Sequence, residues 1–215
     1  MARSKDRAFF LQGINGCYLT LSITTATICI VKVLGIDPGM QFLGYAGIEN
    51  DPEFNLFKFG LIYTPRTNQT YNEFLNEGIE HIATEFPRVL MFTTPDLIVS
   101  ETVPVGKLGS NSELVVASIT VCKVLAYQWG IPWIDMAANT WHSEILGKSV
   151  KSTKARVRNA VFAEFPTLAE QHKLLKKEQK EVGDKPEGFR PDVTDAIGIC
   201  LAGIRIHGNE NLQEV

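Results

Sequence analysis

Apolar residues recur along the chain with two different periods, and the order of those periods predicts the fold. Val31–Ile36 (VKVLGI) is a short β-branched run that stops at the turn sequence Asp37-Pro38-Gly39. Phe42–Glu49 and Phe54–Tyr63 follow as two more strands, joined by the polar turn Asn50–Glu53, so the first three strands form a meander. From Tyr71 to Phe86 the apolar positions Phe74, Leu75, Ile79, Ile82 and Ala83 fall close to helical spacing. Leu97–Glu101 is a fourth strand that ends on a carboxylate, and Trp133–Met136 is a fifth. Between them Ser112–Trp129 is a long, mostly apolar helix, ended by Gly130-Ile131-Pro132. Thr153–Phe165 is a helix capped by Ser152 or Thr153, Leu168–Lys180 a charged helix, and Gly183–Pro191 a turn-rich linker. Asp192–Ile206 closes the pattern as an apolar helix. Strands first in a meander and then alternating with helices predict an α/β domain with a five-stranded mixed sheet flanked by helices.

The first 31 residues stand apart. Arg3, Lys5 and Arg7 before an apolar stretch look like the opening of a signal peptide, but Gln12, Gly13, Asn15 and Gly16 break the run and no small-residue cleavage pattern follows. Cys17–Val31 is rich in Thr and Ile, which is strand chemistry, and Lys32 interrupts it before it could span a bilayer. The domain plan is therefore an extension over 1–31 (an extra strand or a loosely attached segment), a core domain over 32–208 and a tail over 209–215, with no membrane span.

Length and composition narrow the class. A chain of 215 residues that is 45% hydrophobic and 21% charged suits one compact domain, and excludes a wholly disordered or collagen-like protein. The four cysteines (Cys17, Cys29, Cys122, Cys200) are too scattered for a zinc knuckle or a disulfide framework, which points to a reducing, cytoplasmic setting. The net charge of −3 hides an asymmetry: residues 148–190 hold eleven basic against six acidic side chains, and the rest of the chain ten against eighteen. A basic lobe suited to phosphates lies beside an acidic one suited to a metal centre. The bland alternative is a solvated helix face on which Glu170, Glu178 and Glu181 pair with nearby lysines. No P-loop is present, and His81, His142, His172 and His207 are isolated, which makes all of them better packing or surface residues than metal ligands.

Carboxylates carry the sharper signal. Asp37 ends the first strand and Glu101 the fourth, while Asp192 and Asp195 sit three apart at the start of an otherwise apolar helix, hence on one helical face. Taken singly, Asp37 is a good turn residue and Asp192 a good helix cap. Taken together, strand-end acids and helix-start acids can converge at one edge of a sheet. Packed carboxylates repel unless cations neutralise them, and hard oxygen donors suit Mg2+ or Mn2+. Two such ions about 3.5–4 Å apart stabilise the attacking and leaving oxygens of a displacement at phosphorus. The chemistry implied is phosphodiester hydrolysis.

The segments VLGIDPGMQFLGYAGIE (33–49), PDLIVSETV (95–103) and DVTDAIGICLAG (192–203) resemble the RuvC family of Holliday-junction resolvases, over about Val33 to Ile206. The resemblance implies an RNase H-like fold and a structure-specific endodeoxyribonuclease, cutting four-way DNA junctions with two Mg2+ ions per site, for which Mn2+ substitutes. It implies that Asp37, Glu101, Asp192 and Asp195 are the metal-binding catalytic carboxylates. Lys154, in KSTKARVRNAV, matches a functional lysine of the family, and His142 falls near another. The chain departs from the family at Pro104, where an aromatic wedge is usual, at Thr102, where Gln is common, and in its long 168–190 segment. These departures fit a divergent member, of a kind a virus could carry into a host cytoplasm.

Several expectations follow for partners. Lys148, Lys151, Lys154, Arg156 and Arg158 lie at and after a helix start, where backbone N–H groups also favour phosphate, so 148–190 is expected to supply most of the DNA affinity. Cutting two strands of a junction calls for two-fold symmetry, so a homodimer is expected, with the 112–130 helix as its interface through Leu114, Val115, Ala117, Ser118, Val121, Cys122, Leu125 and Ala126. The competing readings are the same nuclease acting on flaps, forks or RNA–DNA hybrids, a non-catalytic DNA-binding scaffold of the same fold, and an actin-like kinase or chaperone. The last needs two such domains and a second phosphate loop, for which 215 residues scarcely suffice.

Overall fold

The computed structural model describes residues 31–51, 54–103, 110–181 and 188–207. The expected extension, the position of Pro104, most of the 183–191 linker and the tail lie outside the described residues. Five strands, β1 (Lys32–Asp37), β2 (Phe42–Glu49), β3 (Asn55–Tyr63), β4 (Leu97–Glu101) and β5 (Trp133–Met136), form one sheet in the order β3-β2-β1-β4-β5. The β1-β2 and β2-β3 pairs are antiparallel, as a meander requires, and β1-β4 and β4-β5 are parallel. The sheet is mixed, as the alternation predicts.

Six helices flank it among the described residues: α1 (Tyr71–Thr93), α2 (Ser110–Gln128), α3 (Ala138–Leu146), α4 (Lys154–Glu164), α5 (Pro166–Glu181) and α6 (Pro191–His207). None of them is long and apolar enough to cross a membrane. The alternation of side chains along β1 sorts the core into two layers. Leu34 and Ile36 face α1 and α2 with Phe74, Ile82, Phe86 and Cys122. Val33, with Leu97 and Val99 of β4, packs on the α6 side among Trp141, Val157, Val161, Ile197 and Cys200. Burial pushes the Cys122 thiol up strongly and the Cys200 thiol to about 12, so both behave as inert core groups.

Three elements differ from the sequence expectation. α1 does not stop at Phe86 but runs through Pro87 to Thr93, because Val89, Leu90 and Thr93 are buried and their packing outweighs the loss of one backbone donor. Its start is a full capping box between Thr70 and Glu73, and it ends on Thr94 in the left-handed region (φ 41°). α3 was not expected: it is nine residues long, has no side-chain cap, and buries only Trp141, so it carries little periodic signal. On α2, the stripe expected to face a partner is partly this chain's own core: Leu114, Ser118, Cys122 and Ala126 are buried. The exposed apolar positions of that helix are Val116, Val124 and Tyr127, a different face.

Candidate active site

Each of the four acidic side chains reaches the same sheet edge for its own local reason. β1 and β4 run parallel with Ile36 opposite Ser100, so the next residues, Asp37 and Glu101, emerge side by side at the strand ends. The strand period of two puts both on the face that carries Val33, Leu97 and Val99, which is the face α6 covers. α6 supplies Asp192 and Asp195 from its first turns, where the helix dipole favours negative charge. It lies unusually close to the strands. A Cβ on Gly44 would stand 2.1 Å from the Asp192 carbonyl oxygen, and one on Gly35 would stand 2.4 Å from the Ala196 oxygen. Only glycine at these two positions lets the helix start sit directly over the strand ends.

The result is a cleft of about 460 Å³ lined by Asp37, Glu101, Asp192 and Asp195, together with Phe42, His142 and Lys154. Burial holds the Asp37 carboxyl well above its ordinary range, and the negative charges of Asp195, Asp192 and Glu101 raise it further against the pull of Lys154. Asp195 is pushed up to about 6, chiefly by burial, with Lys154 opposing and Asp192 and Glu101 adding to the rise. Three of the acids have a donor or cation at hand. Trp141 Nε1 donates to Glu101 Oε2 at 2.8 Å, Arg190 Nε to Asp192 Oδ2 at 3.1 Å, and Lys154 Nζ stands 3.8 Å from Asp195 Oδ2. Asp37 makes no such side-chain hydrogen bond or ion pair among the described residues, and Lys154 reaches it only through its charge.

This donor set fits a divalent cation in its chemistry: oxygen-only ligands, several negative charges, and one carboxyl raised by burial and by its acidic neighbours. No group of three or more His, Cys, Asp or Glu side chains is already drawn together to hold an ion among the described residues. The acids share a cleft, and not a finished coordination shell.

Of the residues singled out in the sequence, Asp37, Glu101, Asp192, Asp195, Lys154 and His142 line this one cleft. Lys154 opens α4 behind the cap Thr153, whose side chain accepts from Arg156 N, and its own side chain is exposed. The His142 ring lies against the Trp141 ring, tilted at 44° with centroids 3.8 Å apart, and burial lowers its pKa, which favours the neutral imidazole. Lys148, Lys151, Arg156 and Arg158 do not line the cleft. Lys148, Lys151 and Arg156 are exposed, with Arg156 Nη1 donating to the Lys151 carbonyl at 2.8 Å. Arg158 is half-buried and lies toward His172 on α5, where its charge helps lower the imidazole pKa. Sequence reasoning missed two residues that touch the acids. Trp141 falls in the unrecognised helix α3, and Arg190 in the linker two residues ahead of Asp192; that proximity was the one signal available for it.

No protein-family model matches the sequence, and no curated protein matches it. The fold is nevertheless specific. A five-stranded mixed sheet of this order, flanked by helices, is RNase H-like. Within that class it is the fold of RuvC. The chain is similar to Thermus thermophilus RuvC in complex with Holliday junction substrate, at 19% identity over 80% of this chain and 92% of that one, with a TM-score of 0.60. A second structure of Thermus thermophilus RuvC gives 20% identity, 81% and 96% coverage, and a TM-score of 0.57.

Proposed function

We propose that this chain is a divalent-metal-dependent, structure-specific endodeoxyribonuclease that cuts four-way DNA junctions. The observation that carries the reading is the meeting of Asp37, Glu101, Asp192 and Asp195, from β1, β4 and α6, with Lys154 in a single cleft. The RuvC fold supports it, and a RuvC of that fold is known in complex with Holliday junction substrate.

The four carboxylates would hold Mg2+, two ions per site, with Mn2+ able to replace it. Ions bound there would supply a nucleophilic water at neutral pH and neutralise charge on the attacking and leaving oxygens. The chain's own groups do the positioning. Trp141 fixes one oxygen of Glu101 through its indole N–H, and Arg190 fixes one oxygen of Asp192. Lys154 extends from the first turn of α4 into the cleft, so its ammonium and the helix N–H groups both favour a phosphate on that side. Asp195, with its pKa near 6, holds a proton in mildly acidic solution and is ionised above it, the form that would bind a cation. Cleavage should therefore climb between about pH 5 and 8. A homodimer would present two such clefts to strands of like polarity, and the exposed Val116, Val124 and Tyr127 on α2 are the face we assign to it.

A cleavage panel tests the reading. A four-way junction, a three-way junction, a flap, an RNA–DNA hybrid and plain duplex are each incubated with the protein in Mg2+ and in Mn2+. Paired symmetric nicks in the four-way junction, lost on Asp37→Asn, are expected. Preferential cutting of flaps or hybrids would reassign the substrate, and no cutting of any of them would leave a binding scaffold.

A further inference from the structure

Three planar groups are layered at the mouth of the cleft, on the β3 side of the sheet. Phe42, the first residue of β2, lines the cleft itself. Tyr63, the last residue of β3, is its direct cross-strand partner, and the two rings stack with centroids 5.1 Å apart and planes 15° from parallel. The Arg190 guanidinium lies 3.4 Å from the centroid of Phe42, and its Nε donates to Asp192 at 3.1 Å. One side chain thus touches both an acid of the cleft and the aromatic pair.

The stack stops short at Tyr63. Among the described residues β3 is an edge strand of the sheet, and Tyr63 remains 50% exposed. Rings on neighbouring strands follow the strand spacing of about 4.7–4.9 Å. The position one step beyond Tyr63 is therefore where a further flat group would continue the stack. A core role does not explain a half-exposed tyrosine there. A ligand role does, because every nucleobase has a π-face that stacks on aromatic side chains regardless of its sequence.

We propose that Tyr63, backed by Phe42, forms a shelf for one nucleobase unstacked at the branch point, and that Arg190, at the other end of the stack, takes a phosphate at the cleft. This rests on reading the cleft as a nuclease site. A base inside a duplex has both faces covered by its neighbours, so only a branch or a single strand offers a free face to Tyr63. Arg190 uses one of its five donors on Asp192, and the planar fork of the others suits a phosphate bidentately. Phe42 holds the plane of that fork by cation–π contact. The shelf accounts for structure selectivity by something other than base reading: it rewards an open base presented at the edge of the cleft.

The test uses the full chain in EDTA, which stops cutting, and a four-way junction carrying 2-aminopurine at the branch point. Stacking on Tyr63 should change the 2-aminopurine fluorescence on binding. Tyr63→Ala should abolish that change and weaken junction binding about 5- to 150-fold, with plain duplex weakened less than about two-fold. Tyr63→Phe, which keeps the ring, should restore both readouts. Tyr63→Ala binding the junction like wild type, or losing duplex affinity in the same proportion, would overturn the shelf while leaving the nuclease reading intact. Wild-type protein that neither binds nor cuts branched DNA would overturn that reading, and the shelf with it.

Discussion

Replacing Asp195 with Asn removes one negative charge from the cleft and leaves the side chain nearly the same size, so it isolates the electrostatic cost of the site. In the metal-free fold Asp195 titrates near 6 instead of its ordinary 3.8, chiefly through burial, with Asp192 and Glu101 nearby. A carboxyl whose pKa is raised on folding is stabilising while protonated, and that contribution is lost as the pH rises through the folded value. Wild-type protein in EDTA should therefore lose stability between about pH 4 and 7. A shift of about two units corresponds to about 3 kcal/mol at pH 8. For a chain of this length that is about 6–12 °C in melting temperature. The variant also loses the Lys154 contact, but that lysine is 70% exposed and 3.8 Å away, and such pairs contribute about 0–1 kcal/mol. The sign therefore survives. Asp195→Asn should melt several degrees above wild type at pH 8 and close to it at pH 4. Adding Mg2+ at about 100 times its dissociation constant should contribute about 2.7 kcal/mol to wild type alone and close most of the gap. The measurement is a set of thermal melts from pH 4 to 8, in EDTA and in Mg2+. A variant less stable than wild type at pH 8, or one whose advantage is the same at both pH values, would refute the reasoning.

Three further outcomes are expected. Gly44→Ala places a methyl group against the Asp192 carbonyl and should cost roughly 1–3 kcal/mol in urea denaturation while abolishing cleavage; a variant normal in both would show that α6 need not lie so close. Changing the exposed Lys148, Lys151 and Lys154 to Ala should flatten the log–log salt dependence of junction binding by about two to three, and an unchanged slope would move the phosphate-binding surface elsewhere. Val124→Glu with Tyr127→Glu, on the exposed face of α2, should convert a sedimenting dimer to a monomer, whereas a wild-type monomer that cuts junctions fully would end the dimer assignment.

Much of this protein was legible without a structure, because the relevant signals are local. The period-two runs ending at Asp37 and Glu101, and the apolar helix opened by Asp192 and Asp195, depend only on residues within a few positions of one another. From them came the mixed sheet, the order of its strands along the chain, and the four acids as one candidate set. The elements that failed are those whose signal is not local. α1 continues through Pro87 because side chains distant in sequence bury Val89 and Leu90, and α3 exists to bury one tryptophan. Half of the stripe expected to face a partner on α2 is buried in the molecule's own core, since hydrophobic spacing marks a buried face without saying what buries it. Convergence itself was a tertiary decision. Whether acids 155 positions apart share a cleft depends on how closely α6 crosses β1 and β2, and that is set by the missing side chains of Gly35 and Gly44. The same close crossing brings Arg190 onto Phe42 and into reach of Asp192, a three-way contact among residues that share no local pattern.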